Sequence, residues 1–244
     1  MRLVGSAWLS EGLAEYLAYL VLVETLGQEA ALSTLEGRVY LPYTRAAQGR
    51  QRALANIDLL DEGEPLVYQK GALVFRMLHR RLGDDAFFAL IRSFVQQHRG
   101  QVVTGQTFID HAEAFAATWR DPLGGEGRTG AGGTSPDEMR AFFEQWVKGS
   151  STLDYALRVM ETSERRLVVR AVSAGRIVEP GPVSLSVELD DGRRLIAEIA
   201  LDETVEFNLP ASPRSVMLDH ERWLADANPA NNVWYANPAA GSEG

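Results

Sequence analysis

At Gly149 the apolar period of this 244-residue chain changes from near four to two. A period near four lines one face of a helix, and a period of two lines one face of a strand, so one architecture cannot serve both halves. The sequence therefore predicts an α+β chain: a helical region over residues 1–149, a small antiparallel β-sandwich over 150–224, and a flexible tail over 225–244. The tail is expected from Ala225 onward because Asn, Pro, Ala and Gly dominate there.

Within the first region Leu9, Leu13, Leu17 and Leu20 recur at helical spacing and predict a helix from Ser10 to Leu26, stopped by Gly27. Asp61-Glu62-Gly63-Glu64-Pro65 reads as a loop leading into a helix over Leu66–Leu82 with Val67, Val74, Met77 and Leu78 on one side. Gly83 ends it, and Asp84 is expected to cap the next, which carries Phe87, Leu90, Ile91 and Phe94. Thr104 or Thr107 starts another helix, with Phe108, Ala112 and Phe115 as its apolar side. Ser135-Pro136-Asp137-Glu138 has the form of a capping box with proline in the first turn, ahead of Met139, Phe142, Phe143 and Trp146. The glycine-dense run from Gly124 to Gly133 has no apolar anchor and reads as a mobile linker; it lacks the Gly-Lys-Ser/Thr ending of a phosphate loop.

In the second region Leu153, Tyr155, Leu157 and Val159 alternate with other residues, as do Val183, Leu185, Val187 and Leu189. Asp190-Asp191-Gly192-Arg193 is a hairpin turn before it is an acid/base pair. It leads into Leu195, Ala197, Ile199 and Leu201, with further strands around Val205–Leu209 and Val216–Leu218.

Composition narrows the function. A net charge of -9 argues against nucleic acid as a partner. The absence of cysteine excludes disulfides, thiolate metal sites and thiol nucleophiles. The longest apolar run, Tyr16 to Val23, is too short to span a bilayer, and it lacks the basic flank of a signal peptide. No Gly-x-Ser-x-Gly is present.

The residues that carry chemistry lie near the start. Trp8-Leu9-Ser10-Glu11-Gly12-Leu13-Ala14-Glu15-Tyr16 sets a carboxylate in the first turn of a helix beside a glycine that permits close backbone approach. Read alone, Glu11 is a first-turn glutamate favoured by the helix dipole, with Ser10 as its cap. Further on stands Pro65-Leu66-Val67-Tyr68-Gln69-Lys70-Gly71-Ala72, in which Tyr68 alone is an ordinary amphipathic tyrosine.

Together these segments resemble the gluzincin aminopeptidases, the alanyl aminopeptidase-like zinc exopeptidases. The first is similar to that family's Trp-Leu-x-Glu-Gly helix and the second to its Tyr-x-Lys-Gly segment. The Leu-Gly-Asp-Asp-Ala-Phe-Phe run beginning at Leu82 and the Phe142-Phe143-Glu144-Gln145-Trp146 helix follow in the family's order. The resemblance implies that Glu11 is the third zinc ligand and that Tyr68 stabilises the oxyanion of the tetrahedral intermediate. It implies a peptide substrate, and a β-sandwich after the catalytic domain. Glu15 reads either as a residue supporting Glu11 or as a solvated helix-face glutamate, and Lys70 as structural, paired with a carboxylate.

The departures matter as much. The family's other two ligands and its general base come from an H-E-x-x-H helix roughly twenty residues before the third ligand. Here only ten residues precede Glu11, and none of His79, His98, His111 and His220 begins that motif. All four read as surface or core-edge histidines. The Gly-x-Met-Glu-Asn segment that recognises a free amine is also missing from the sequence. The expectation is a C-terminal fragment of a zinc metallo-aminopeptidase that starts internally at Met1 and binds no zinc alone. Its partners would be the missing N-terminal catalytic segment, or a second copy through exposed apolar surface. The alternative is a non-enzymatic scaffold or interaction module derived from the same fold.

Overall fold

The computed structural model describes residues 5–47, 52–57, 66–119 and 133–236. The expected loop at Asp61–Pro65, most of the glycine-rich linker and the last eight residues of the expected tail lie outside them. The class is α+β: helices first, then two antiparallel sheets. The chain divides into two compact units, one comprising Met1–Ser151 with Trp223–Ala225, the other Thr152–Arg222 with Asp226–Gly244.

In the helical unit a π-helical turn, Trp8–Gly12, runs into α1 (Leu13–Leu26), which ends at Gly27 with φ 84°. α2 (Gln28–Leu35) continues through a second π turn, Glu36–Tyr40, into α3 (Leu41–Ala47). A third π turn, Leu66–Lys70, opens α4 (Gly71–Leu82). α5 (Asp84–Gln97), α6 (Gly105–Thr118) and α7 (Pro136–Phe143) follow, α7 ending in the π turn Glu144–Lys148.

The start signals mostly act as their chemistry requires. Ser135 and Glu138 form the reciprocal capping box, with the Glu138 N–H donating to Ser135 Oγ at 3.2 Å and the Ser135 N–H to Glu138 Oε2 at 2.8 Å. At α6 both candidate threonines take part: Thr104 is the N-cap and Thr107 the reciprocal partner. Two expectations are corrected. Gly83, at φ 77°, occupies the cap position before α5, so Asp84 is its first helical residue. The first helix starts earlier than Ser10, whose hydroxyl lies 3.2 Å from the Ala7 carbonyl oxygen and 3.1 Å from Glu11 Oε1, either of which can accept its proton, rather than capping.

α1 is apolar around most of its circumference, so its leucine row does not choose the buried face. Trp8, Leu9, Tyr16 and Tyr19 are buried, whereas Leu13, Leu17 and Leu20 are half-buried. α4 is enclosed from Gly71 to His79 and forms the centre of this unit. Arg76 of α4 lies over the rings of Tyr19 and Trp223, 4.6 and 4.1 Å from their centroids.

The second unit holds β1 (Tyr155–Thr162), β2 (Arg166–Ser173), β3 (Val183–Leu189), β4 (Arg194–Ile199), β5 (Thr204–Asn208), β6 (Pro213–Leu218) and β7 (Val233–Tyr235). They form a three-stranded sheet in the order β1-β2-β5 and a four-stranded sheet in the order β4-β3-β6-β7. Asp190–Arg193 closes the β3–β4 hairpin, with Gly192 at φ 85° and Glu188 opposite Arg194. β3 is covered on both faces, since Ser184 and Ser186 are buried as well as Val183, Leu185 and Val187.

Residues 225–236 correct the expected tail. Asp226 and Asn232 are fully buried, and β7 pairs with β6. The Asp226 carboxylate accepts from the Tyr155 N–H, the Asn228 N–H and the Asn232 amide, at 3.0, 2.8 and 2.9 Å. The side-chain amides of Asn231 and Asn232 donate to the Asp154 and Asp226 carboxylates at 2.8 and 2.9 Å, so asparagines here hold the segment in place. Among the described residues no helix is long and apolar enough to cross a membrane.

Candidate functional site

Trp8 fixes the turn that carries Glu11. Its indole is buried, stacks on Phe75 at 5.6 Å and meets Phe108 edge-on at 6.2 Å. Four residues on, Gly12 meets the first residue of α4. A Cβ on Gly12 would lie 2.6 Å from Gly71 Cα, and one on Gly71 would lie 3.0 Å from Gly12 Cα and 3.1 Å from the Trp8 carbonyl oxygen. Both residues have to be glycine for the two backbones to cross this closely.

The crossing brings two π turns directly together, Trp8–Gly12 with Glu11 and Leu66–Lys70 with Tyr68. Chain geometry then holds the Cα atoms of Glu11 and Tyr68 within about 14 Å of each other. Both side chains are half-buried. π turns place an extra residue in the helix and recur at functional positions.

Glu15, one turn beyond Glu11, pairs with Arg38 at 3.3 Å and lines an apolar cavity of about 460 Å³ between α1 and α2. Lys70 departs from its expected pairing. It is 1% exposed, and its ammonium has no hydrogen-bond partner among the described residues. Burial alone pushes its pKa down to about 8.

His79 is a second correction, being buried in α4 rather than at a surface or core edge. The Tyr16 hydroxyl bonds Nδ1 at 2.7 Å and Asp84 Oδ1 bonds Nε2 at 2.8 Å, while the ring stacks on Phe87 at 4.2 Å. Burial holds the His79 pKa below its ordinary value, against the opposing pull of Asp84, and raises that of the Tyr16 phenol. The sequence did hold a signal for this: Phe75 stands four residues before His79 and Leu82 three after it, which places the histidine in an apolar row of an amphipathic helix.

The remaining histidines lie elsewhere. His111 Nε2 lies 2.9 Å from Ser93 Oγ, its pKa lowered by burial and then by His98. His220 belongs to the sheet unit, its pKa lowered by burial. Among the described residues no three His, Cys, Asp or Glu side chains are grouped so as to hold a metal ion. Zinc needs three or four ligands, of which Glu11 can supply one.

The model of the peptidase family M1 domain matches residues 4–146, more than half of the chain and nearly all of the helical unit. The chain belongs to peptidase family M1. The matched span takes in both π turns, the glycine crossing and α4 to α7. The M1 family is one of metallopeptidases and is zinc-dependent in general, so the helical unit has a metallopeptidase origin. No curated protein matches the chain.

Proposed function

We propose that this M1 chain carries the C-terminal part of an aminopeptidase site, with Glu11 as one zinc ligand and Tyr68 as the oxyanion donor. The two histidine ligands and the general base would come from an H-E-x-x-H segment outside this sequence. The observation that supports this reading is the Gly12–Gly71 crossing, because one reacting centre must lie within reach of both side chains. A neutral phenol beside the scissile carbonyl donates to the negative charge that develops on its oxygen. The two sheets are read as the sandwich that follows the catalytic domain in many relatives. On this reading the chain alone is catalytically inert.

The test compares two proteins. Isothermal titration of zinc into the purified chain is expected to give no tight one-to-one binding, and aminoacyl anilides are expected to remain intact. A longer protein that adds an in-frame upstream H-E-x-x-H is expected to bind zinc and cleave them. In that protein E11Q should lose zinc affinity, and Y68F should lower kcat by about 10²–10³ with little change in KM. Unchanged zinc affinity in E11Q, or unchanged kcat in Y68F, would remove the residue concerned from the site. A stop codon directly upstream in the gene would instead support the scaffold reading.

A further inference from the structure

The helical unit also contains a polar cleft, independent of the zinc reading. It is a cleft of about 450 Å³ at the N-terminus of α6, lined by Ser6, Trp8, Thr104, Gly105, Gln106 and Lys148 among others. Its walls need two glycines. A Cβ on Gly5 would lie 1.9 Å from the Ala55 carbonyl oxygen, and one on Gly105 would lie 2.7 Å from Trp8 Nε1.

The donors at this helix start are incompletely used. The Gly105 N–H goes to Ser6 Oγ at 3.1 Å, the Thr107 N–H to Thr104 Oγ at 3.1 Å and the Phe108 N–H to the Thr104 carbonyl at 3.2 Å. The Gln106 N–H has no acceptor among the described residues, and neither does the Ser6 hydroxyl proton. Trp8 is 1% exposed, and its indole Nε1, beside the first residue of α6 and on the lining of the cleft, has no hydrogen-bond partner among the described residues. A buried donor left unmade is costly, so a ligand that satisfies it gains disproportionately.

Electrostatics favour the same kind of ligand. α6 is 14 residues long, so its N-terminal turn carries a partial positive charge. Lys148 is among the lining residues; its ammonium is paired at 2.7 Å with Glu144, which is not. In a protein of net charge -9, no carboxylate among the described residues lines this concavity.

We propose that the cleft binds a small oxyanion, a carboxylate or a phosphate, at the first turn of α6. The ligand would accept from the Gln106 N–H, the Ser6 hydroxyl and the Trp8 indole, with Lys148 adding charge. The test titrates the ¹⁵N-labelled chain with inorganic phosphate and, separately, acetate, at constant ionic strength with chloride as reference. Saturable shifts of the Trp8 indole and Gln106 amide resonances are expected from at least one of the two anions. The better of them identifies the preferred source. S6D places a carboxylate beside the Gly105 N–H and should abolish the response while keeping the fold. K148Q should weaken it. Absence of the shifts, equal shifts with chloride, or an undiminished response in S6D would overturn the proposal.

Discussion

Gly12 and Gly71 impose the tightest constraint on the helical unit, because each faces the other's backbone, which cannot yield as a flexible side chain can. Gly12→Ala is expected to cost more than about 3 kcal/mol in urea unfolding. Gly37→Ala is the control: its site in the π turn Glu36–Tyr40 has nothing within 4 Å, and alanine there should gain about 0.5–1 kcal/mol. Lys70 acts in the opposite sense. Its folded pKa, about 8, lies below the unfolded value, so its contribution to stability is fullest above the unfolded pKa and falls as pH drops through 8. At neutral pH the buried ammonium opposes folding. Lys70→Met should raise stability by about 1–3 kcal/mol, read as a higher Tm, with the gain shrinking toward pH 10. The glycines stand in the sequence beside Glu11 and Lys70, but the sequence did not show that each was opposite the other. That pairing joins residues 59 positions apart and leaves no periodic trace.

Among the elements, α7 was the most legible, since its start depends on four consecutive residues. Ser135→Ala should cost about 1 kcal/mol by chemical denaturation, because it breaks the box that satisfies the Glu138 N–H. α1 was less so: a helix apolar around its circumference has no distinguished face, and packing against α4 buries its tyrosines instead of its leucines. The 225–236 segment was misread because Asn and Pro signal loops whether or not the loop is pinned. Asp226 is what pins it. Burial raises its pKa to about 6 despite three opposing hydrogen bonds. The folded value exceeds the unfolded one, so this contribution is fullest below about pH 4 and is lost as pH rises through about 6. D226N should therefore flatten the pH dependence of stability between about pH 4 and 7 by up to about 3 kcal/mol, measured by urea unfolding at each pH.

For the whole molecule the change of period at Gly149 did specify two kinds of structure, and the chain divides between Ser151 and Thr152. It did not specify that Trp223–Ala225 join the helical unit, where Ala225 accepts from the Tyr43 hydroxyl at 3.1 Å. A chain ended at Leu224 loses that acceptor, Asp226 and β7, and should show no cooperative thermal transition for its strands by circular dichroism. The sequence by itself determined what local chemistry can determine: helix starts and stops, strand alternation, the hairpin turn, and the motifs that carry M1 ancestry. The tertiary structure alone decided which apolar faces are inside, that Lys70 and His79 are buried, that Gly12 meets Gly71, and hence that the turns bearing Glu11 and Tyr68 lie together. The division has one physical cause. Hydrogen bonding and side-chain spacing act over a few residues and are written in order along the chain. Burial and close approach depend on partners tens of residues away, which only packing selects.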